Sequence, residues 1–277
     1  MKKVLFFLLT FLFFPFQSSA LAKAETIQPM LAIVIDDFGS YDESGVNKLL
    51  NLNEPITAAV LPNTDMTNEH ILKLSKTNFE IILHMPMESH VRLPENWYGP
   101  TYIKNFDDPE TVKKKIDNCI KKFPKIKGFN SHIGSGVSRN ERLMKAVYEF
   151  ANSNNLYFLD SRTIETKATE SACSKTGSLY LGRDVFLEAN KNKTYSGVCF
   201  RLNEASNIAK QNGFAIAIGH VGAEGGENTA QAIIDMIPKL KENGIKIVPL
   251  STIYEYKKSQ INLKSTENSQ NNFSSSS

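Results

Sequence analysis

Cysteine is scarce in this chain, and its scarcity narrows the field before any motif is read. Cys119, Cys173 and Cys199 stand far apart and match no zinc-ligand spacing, which excludes a cysteine metal site and a disulfide-dense scaffold. In an oxidising compartment they can form at most one disulfide, and Cys173 with Cys199 is the expected pair. An excess of one charge is also lacking: 32 Lys and Arg face 29 Asp and Glu, a net +3 that includes Lys2 and Lys3 in a segment expected to be removed. No nucleic-acid footprint follows from that balance. No internal repeat or linker divides the chain. The apolar run Val4 to Phe16 is too short for a comfortable membrane span and carries Pro15.

That run, with the lysines before it and the small-residue patterns Ala20-Leu21-Ala22 and Ala22-Lys23-Ala24 after it, reads as a secretory signal peptide over residues 1–24. A mature chain starting at Lys23 or Glu25, exported to the periplasm or beyond and free of a stable membrane span, is expected. The Ser- and Asn-rich segment 257–277 cannot bury enough apolar surface to fold and is expected to be a disordered tail. Residues 25–256 remain as one domain, large enough for a sizeable core.

Within it, short Ile- and Val-rich runs alternate with helical patterns. AIVIDDFG (32–39), ITAAVLP (56–62), FEIILH (79–84), GFNSHI (128–133), LYFLDSR (156–162), part of SLYLGRDVFL (178–187), FAIAIGH (214–220) and a last IKIVPLS read as buried strands. The best-marked helix starts at Asp108-Pro109-Glu110, an N-cap, a first-position proline and an acidic first turn, before a stripe of Val112, Ile116, Cys119, Ile120 and Phe123. The segment from Met85 onward, with Pro86, Pro94, Trp97, Tyr98 and Pro100, reads as a binding loop or lid. Such alternation means a parallel sheet covered by helices, either a closed or nearly closed barrel or an open doubly wound sheet.

In both architectures ligands bind at the carboxyl ends of the strands. There stand Asp36 and Asp37, Asn63, His84, Asn130-Ser131-His132, Asp160-Ser161-Arg162, His220 and Ser251. Of five histidines, His84, His132 and His220 finish apolar runs, whereas His70 and His90 fall in a helix and a loop. Two imidazoles and a carboxylate suit a catalytic divalent ion such as zinc, which polarises a carbonyl and acidifies water. A second carboxylate can take the water's proton and a further histidine can protonate the leaving group; Asp36, Asp37 and His220 can fill those roles. Asn63, Glu88, Asn130, Ser131 and Arg162 are the expected substrate contacts, although Glu88 could instead bind loop N–H groups and Arg162 could pair with Asp160. The absence of an Arg/Lys cluster at the strand ends argues against a phosphoesterase.

The ordered motifs IVIDDFG, AVLPN, ILHMPME, NSHIGS, YFLDSRT and AIAIGH resemble the divergent polysaccharide deacetylase family over residues 31–251. That resemblance implies a distorted (β/α) barrel of about seven strands and a metal-dependent site that removes N-acetyl groups from a polysaccharide such as a cell-wall glycan. It further implies Asp36 as general base, Asp37 as metal ligand, His220 as general acid and Asp160 as the residue orienting a catalytic group. The wider superfamily takes both metal histidines from one His-x-x-x-His motif, but Met85-Pro86-Met87-Glu88 offers none, so the resemblance passes the second ligand, after His84, to His132. Asp36 and His220 are then expected to act from opposite sides of the amide. A non-catalytic metal- and glycan-binding envelope protein on the same barrel is the competing reading.

Overall fold

Alternation decides what each strand shows to each side, and in this chain one parity is apolar until the last residue. Along β1 (Met30–Phe38), Met30, Ala32 and Val34 pack inward in one cluster with Ile216 and Ile218 of β8 (Phe214–His220) and Ile82 of β3 (Glu80–Met87). The next residues of the same parity are Asp36, His220 and His84. The interior is therefore an apolar plug capped by a polar layer. The computed structural model describes residues 28–189 and 193–274. The expected signal peptide lies outside the described residues.

All strand pairs are parallel. The order is β6-β5-β4-β3-β2-β1-β8-β7, with β2 Thr57–Val60, β4 Gly128–Ile133, β5 Tyr157–Asp160, β6 Leu181–Gly182 and β7 Val185–Phe186; β9 (Lys246–Ile247) adds to the start of β1. β6 and β7 are two halves of one passage of chain. The first pairs with β5 and the second with β8, so the segment that leaves one edge of the sheet arrives at the other. They bring the two edges of the curled sheet together as the expected distorted barrel, with eight strands along the path where about seven were expected. The break falls at Arg183-Asp184, where Arg183 N–H still donates to Asp160 O and Asp184 N–H to Ile216 O.

Outside lie α1 (Val46–Leu50), α2 (Thr67–Leu74), α3 (Pro109–Ile120), α4 (Glu141–Ser153), α5 (Ala168–Lys175), α6 (Tyr195–Asn212), α7 (Gly226–Glu242) and α8 (Leu250–Ser274). The reading of α3 holds in detail: Asp108 accepts from Thr111 N–H and Pro109 is the first helical residue. Outward-facing strand residues meet the helices in two further apolar clusters, one under α1, α6 and α7 and one under α3 and α4.

Three expectations change. β3 continues through Met85 and Met87, which bury against the α3–α4 side, so His84 is inside a strand and the aromatic loop starts at Glu88. Cys173 and Cys199 do not pair; all three cysteines are free, with Cys173 Sγ donating to Ser178 O. Segment 257–277 does not begin as irregular chain, because α8 continues to Ser274. Buried Leu250 and Ile253 anchor its start, Lys257 donates to Tyr180 O, and the helix contains no proline or glycine to stop it.

Candidate metal centre

Two adjacent strand residues should face opposite ways, yet Asp36 and Asp37 both reach His84. The reason is a bulge. Ile35 pairs with Ala58 but Phe38 with Val60, so β1 has one residue too many, and Asp37 takes φ 68° to absorb it. Left-handed backbone is tolerated by Asp and costs on the order of 1–3 kcal/mol for a non-glycine residue, an expense met mostly at functional sites. The turn is braced from outside by His70, whose Nδ1 accepts the Gly39 N–H at 2.7 Å while Nε2 faces Glu43 at 3.2 Å. A second strained residue, β-branched Ile133 at φ 61°, directly follows His132.

Asp37, His84 and His132 converge on one point. Asp37 Oδ1 is 3.3 Å from His84 Nε2 and 3.1 Å from His132 Nδ1, and those two nitrogens are 3.1 Å apart. Ligands about 2.0–2.1 Å from a tetrahedral zinc lie about 3.3 Å from each other, so the spacing fits a shared ion. The outer nitrogens fix the tautomers. His84 Nδ1–H donates to Asn130 Oδ1 at 2.7 Å, and Asn130 Nδ2–H donates in turn to Asp36 Oδ1 at 2.8 Å. His132 Nε2–H donates to Trp97 O at 3.1 Å. Both neutral rings thus aim lone pairs at Asp37 Oδ1, a buried oxygen left with no hydrogen-bond partner. Only added positive charge satisfies all three. The same demand appears in the acidities. Burial alone would raise the Asp37 pKa, but the two histidines overcome it and hold it well below the usual range; burial alone would lower that of His84, but Asp36 and Asp37 raise it.

His220 stands beside this cluster. It is the register partner of Asp36 across β1–β8, and its Nε2 is 3.9 Å from Asp36 Oδ2. The two groups are therefore neighbours, where the sequence reading expected them on opposite sides of the amide. What orients His220 is Glu188. Glu188 is buried; it faces His220 Nδ1 at 3.1 Å with Oε2, while Oε1 accepts the His220 N–H at 3.0 Å and the Thr229 hydroxyl at 2.6 Å. Burial opposes a charge on His220, but the Glu188 bond and charge, with those of Asp37 and Asp36, outweigh it and raise its pKa to about 9. Protonation of His220 thus favours the fold at pH below about 6.5, and this stabilisation is lost as pH rises through about 9. In metal-free Glu188→Gln the imidazole should titrate well below the wild-type position, as NMR would show; an unmoved titration would remove Glu188 from this role.

Parity separates the remaining candidates. Tyr157 and Leu159 face inward, so Asp160 shares the outward face of Phe158 and spends its carboxylate on Arg162 N–H (2.8 Å) and Tyr180 O–H (2.9 Å). Burial raises its pKa despite those bonds. Ser131 likewise follows Phe129 onto the outer side of β4, buried, while Asn130 and His132 face the site. Asn130 is at the centre but wholly buried, holding His84 and Asp36 in place. Glu88 accepts from Asn105 N–H at 2.6 Å and shapes the loop. Asn63 (φ 62°) and Arg162 (φ 48°) are turn residues; the first bonds Lys122 and Cys119 at α3, and the second donates to Tyr180 and Arg183 O. Ser251 lies at the start of α8, where its N–H donates to Glu80.

Sequence reasoning missed Glu188 and Arg183. The signal for Glu188 was its place two residues after Phe186, on the parity that puts Phe186 5.2 Å from the His220 ring. Arg183, in the break between β6 and β7, donates to Ser161 O and Arg162 O and lies 5.0 Å over the Phe186 ring.

Comparison with known proteins identifies the family and the fold. The family model described as divergent polysaccharide deacetylase matches residues 33–254. The uncharacterized protein YibQ of Escherichia coli K12 is 34% identical over 216 residues, covering 75% of this chain and 65% of that protein, so the match spans less than two thirds of the relative's length. Among solved structures, the uncharacterized protein ATU2773 of Agrobacterium tumefaciens C58 superposes with TM-score 0.74 at 18% identity, covering 83% of this chain and 91% of that one. BA3943, a CE4 family pseudoenzyme from Bacillus anthracis, does so with TM-score 0.52 at 14% identity, covering 81% and 65%. Those two likenesses are likenesses of fold.

Proposed function

The chain belongs to the divergent polysaccharide deacetylase family, and from that premise we propose that it is an exported, metal-dependent hydrolase removing N-acetyl groups from a polysaccharide. The convergence of Asp37, His84 and His132 on one point, with a carboxylate and an imidazole beside it, carries this reading. Those three side chains would hold the ion, which supplies a polarised acetamide carbonyl and a water of lowered pKa.

The chain's own groups handle the protons. Asp36 offers Oδ2 as the base, because Asn130 already occupies Oδ1 and prevents the carboxylate from rotating away. His220, protonated near neutral pH and held through Nδ1 by Glu188, presents Nε2–H to the departing amine. Their adjacency lets the carboxylate favour the imidazolium before the reaction and leaves the proton gained by one close to the proton given by the other. A purely binding protein on this barrel needs neither a base beside the ligand set nor an acid held by a buried glutamate. Chitin oligomers and peptidoglycan fragments incubated with the zinc-loaded protein should release acetate. Tight binding of one of them with no acetate would transfer the argument to the non-catalytic reading.

A further inference from the structure

The chemistry above uses only one atom of the loop from Glu88 to Asp107, the carbonyl of Trp97 that receives the His132 N–H. Resting on the glycan reading of the site, we propose that this loop is the docking platform for the sugar chain, with the Trp97 indole stacking on a pyranose ring beside the metal ligands. Trp97 is 57% exposed, a large apolar ring left in water at the rim of a catalytic layer. Such exposure is informative where a scattered surface leucine would not be.

The ring is presented by a rigid support. Tyr98 is buried, its hydroxyl accepts the Ser89 N–H at 3.2 Å, and its ring stacks on Tyr102 with centroids 4.6 Å apart and planes at 18°. Ile103 ties the loop to Met87 and Glu88 at the end of β3. A platform already ordered loses little entropy on binding. Next to it lies a cavity of about 650 Å³ lined by Glu95, Asn96, Tyr102 and Lys104 among others, within the range of small-ligand sites. The loop thus offers the exposed Trp97 ring and, in the separate cavity beside it, a carboxylate, an amide and an ammonium, a set that complements a pyranose, which has an apolar C–H face and a rim of hydroxyls. Continuity with the metal ligands through Trp97 O selects the sugar chain as occupant.

Trp97 is the single tryptophan of the chain, so its emission reports on the platform directly. Titration with N-acetylglucosamine oligomers should change that emission saturably. By calorimetry Trp97→Ala should bind them about tenfold or more weakly, and Trp97→Tyr should recover most of the loss, with KM rising more than kcat falls. Metal stoichiometry should stay at the wild-type value, because the contact to His132 comes from the backbone. Equal affinity in wild type and Trp97→Ala, or oligomer binding that leaves the emission unchanged, overturns the platform and leaves the deacetylase reading standing. Absence of calorimetric binding to any N-acetylated oligomer overturns both, and emission that responds to a cell-wall stem peptide but to no sugar overturns the choice of occupant.

Discussion

Asp36→Asn is expected to lower acetate release by at least about a hundredfold while fold and metal content stay at wild-type values, since a positioned proton transfer contributes roughly 10²–10⁴-fold. The substitution is nearly isosteric. The Asn130 amide is pinned by the His84 Nδ1–H on its oxygen, so its NH₂ still points at position 36, where the new carbonyl oxygen can accept it. The loss should fall on kcat and kcat/KM together, as for an interaction made only in the transition state. Loss of metal in Asp36→Asn would mean that the two aspartates have exchanged roles. Undiminished turnover would remove Asp36 from the reaction.

Removal of a ligand should act more severely. His132→Ala is the cleaner variant, because His132 is partly exposed whereas His84 is buried and its loss would also strand the Asn130 oxygen. Metal bound per chain should fall far below the wild-type value and acetate release by at least about a thousandfold, since an ion's charge stabilisation is worth several kcal/mol. In the metal-free state the same variant should be less stable than wild type near neutral pH, because His132 is one of the two histidines that hold the Asp37 carboxylate well below its usual range. Full metal stoichiometry in both His84→Ala and His132→Ala would refute the centre.

Much of the fold is legible because its signal is local. The apolar runs of β1 and β8 and the cap of α3 are readable in short windows, and parallel strands need crossover helices between them. The closure by β6 and β7 was not, since two-residue strands divided by Arg183-Asp184 have no periodicity and owe their existence to the edges they join. The α8 extension escaped because composition weighs burial and says little about a helix that starts on a buried anchor and meets no breaker.

The candidate site divides along the same line. Which residue types gather at the strand ends, and that they suit a divalent ion and proton transfer, follows from the sequence alone, because covalent order and strand direction place Asp36, Asp37, His84, His132 and His220 on one rim. Which of them face each other is a tertiary matter. Asp160 and Ser131 sit at the right level on the wrong face, Asn63 and Arg162 turn the chain away, and Asp37 comes back to the site only through the bulge against β2. Glu188 meets His220 because β7 pairs with β8 in one register. Side-chain facing depends on a period of two, which a single inserted residue inverts, and the insertion is defined only by the partner strand.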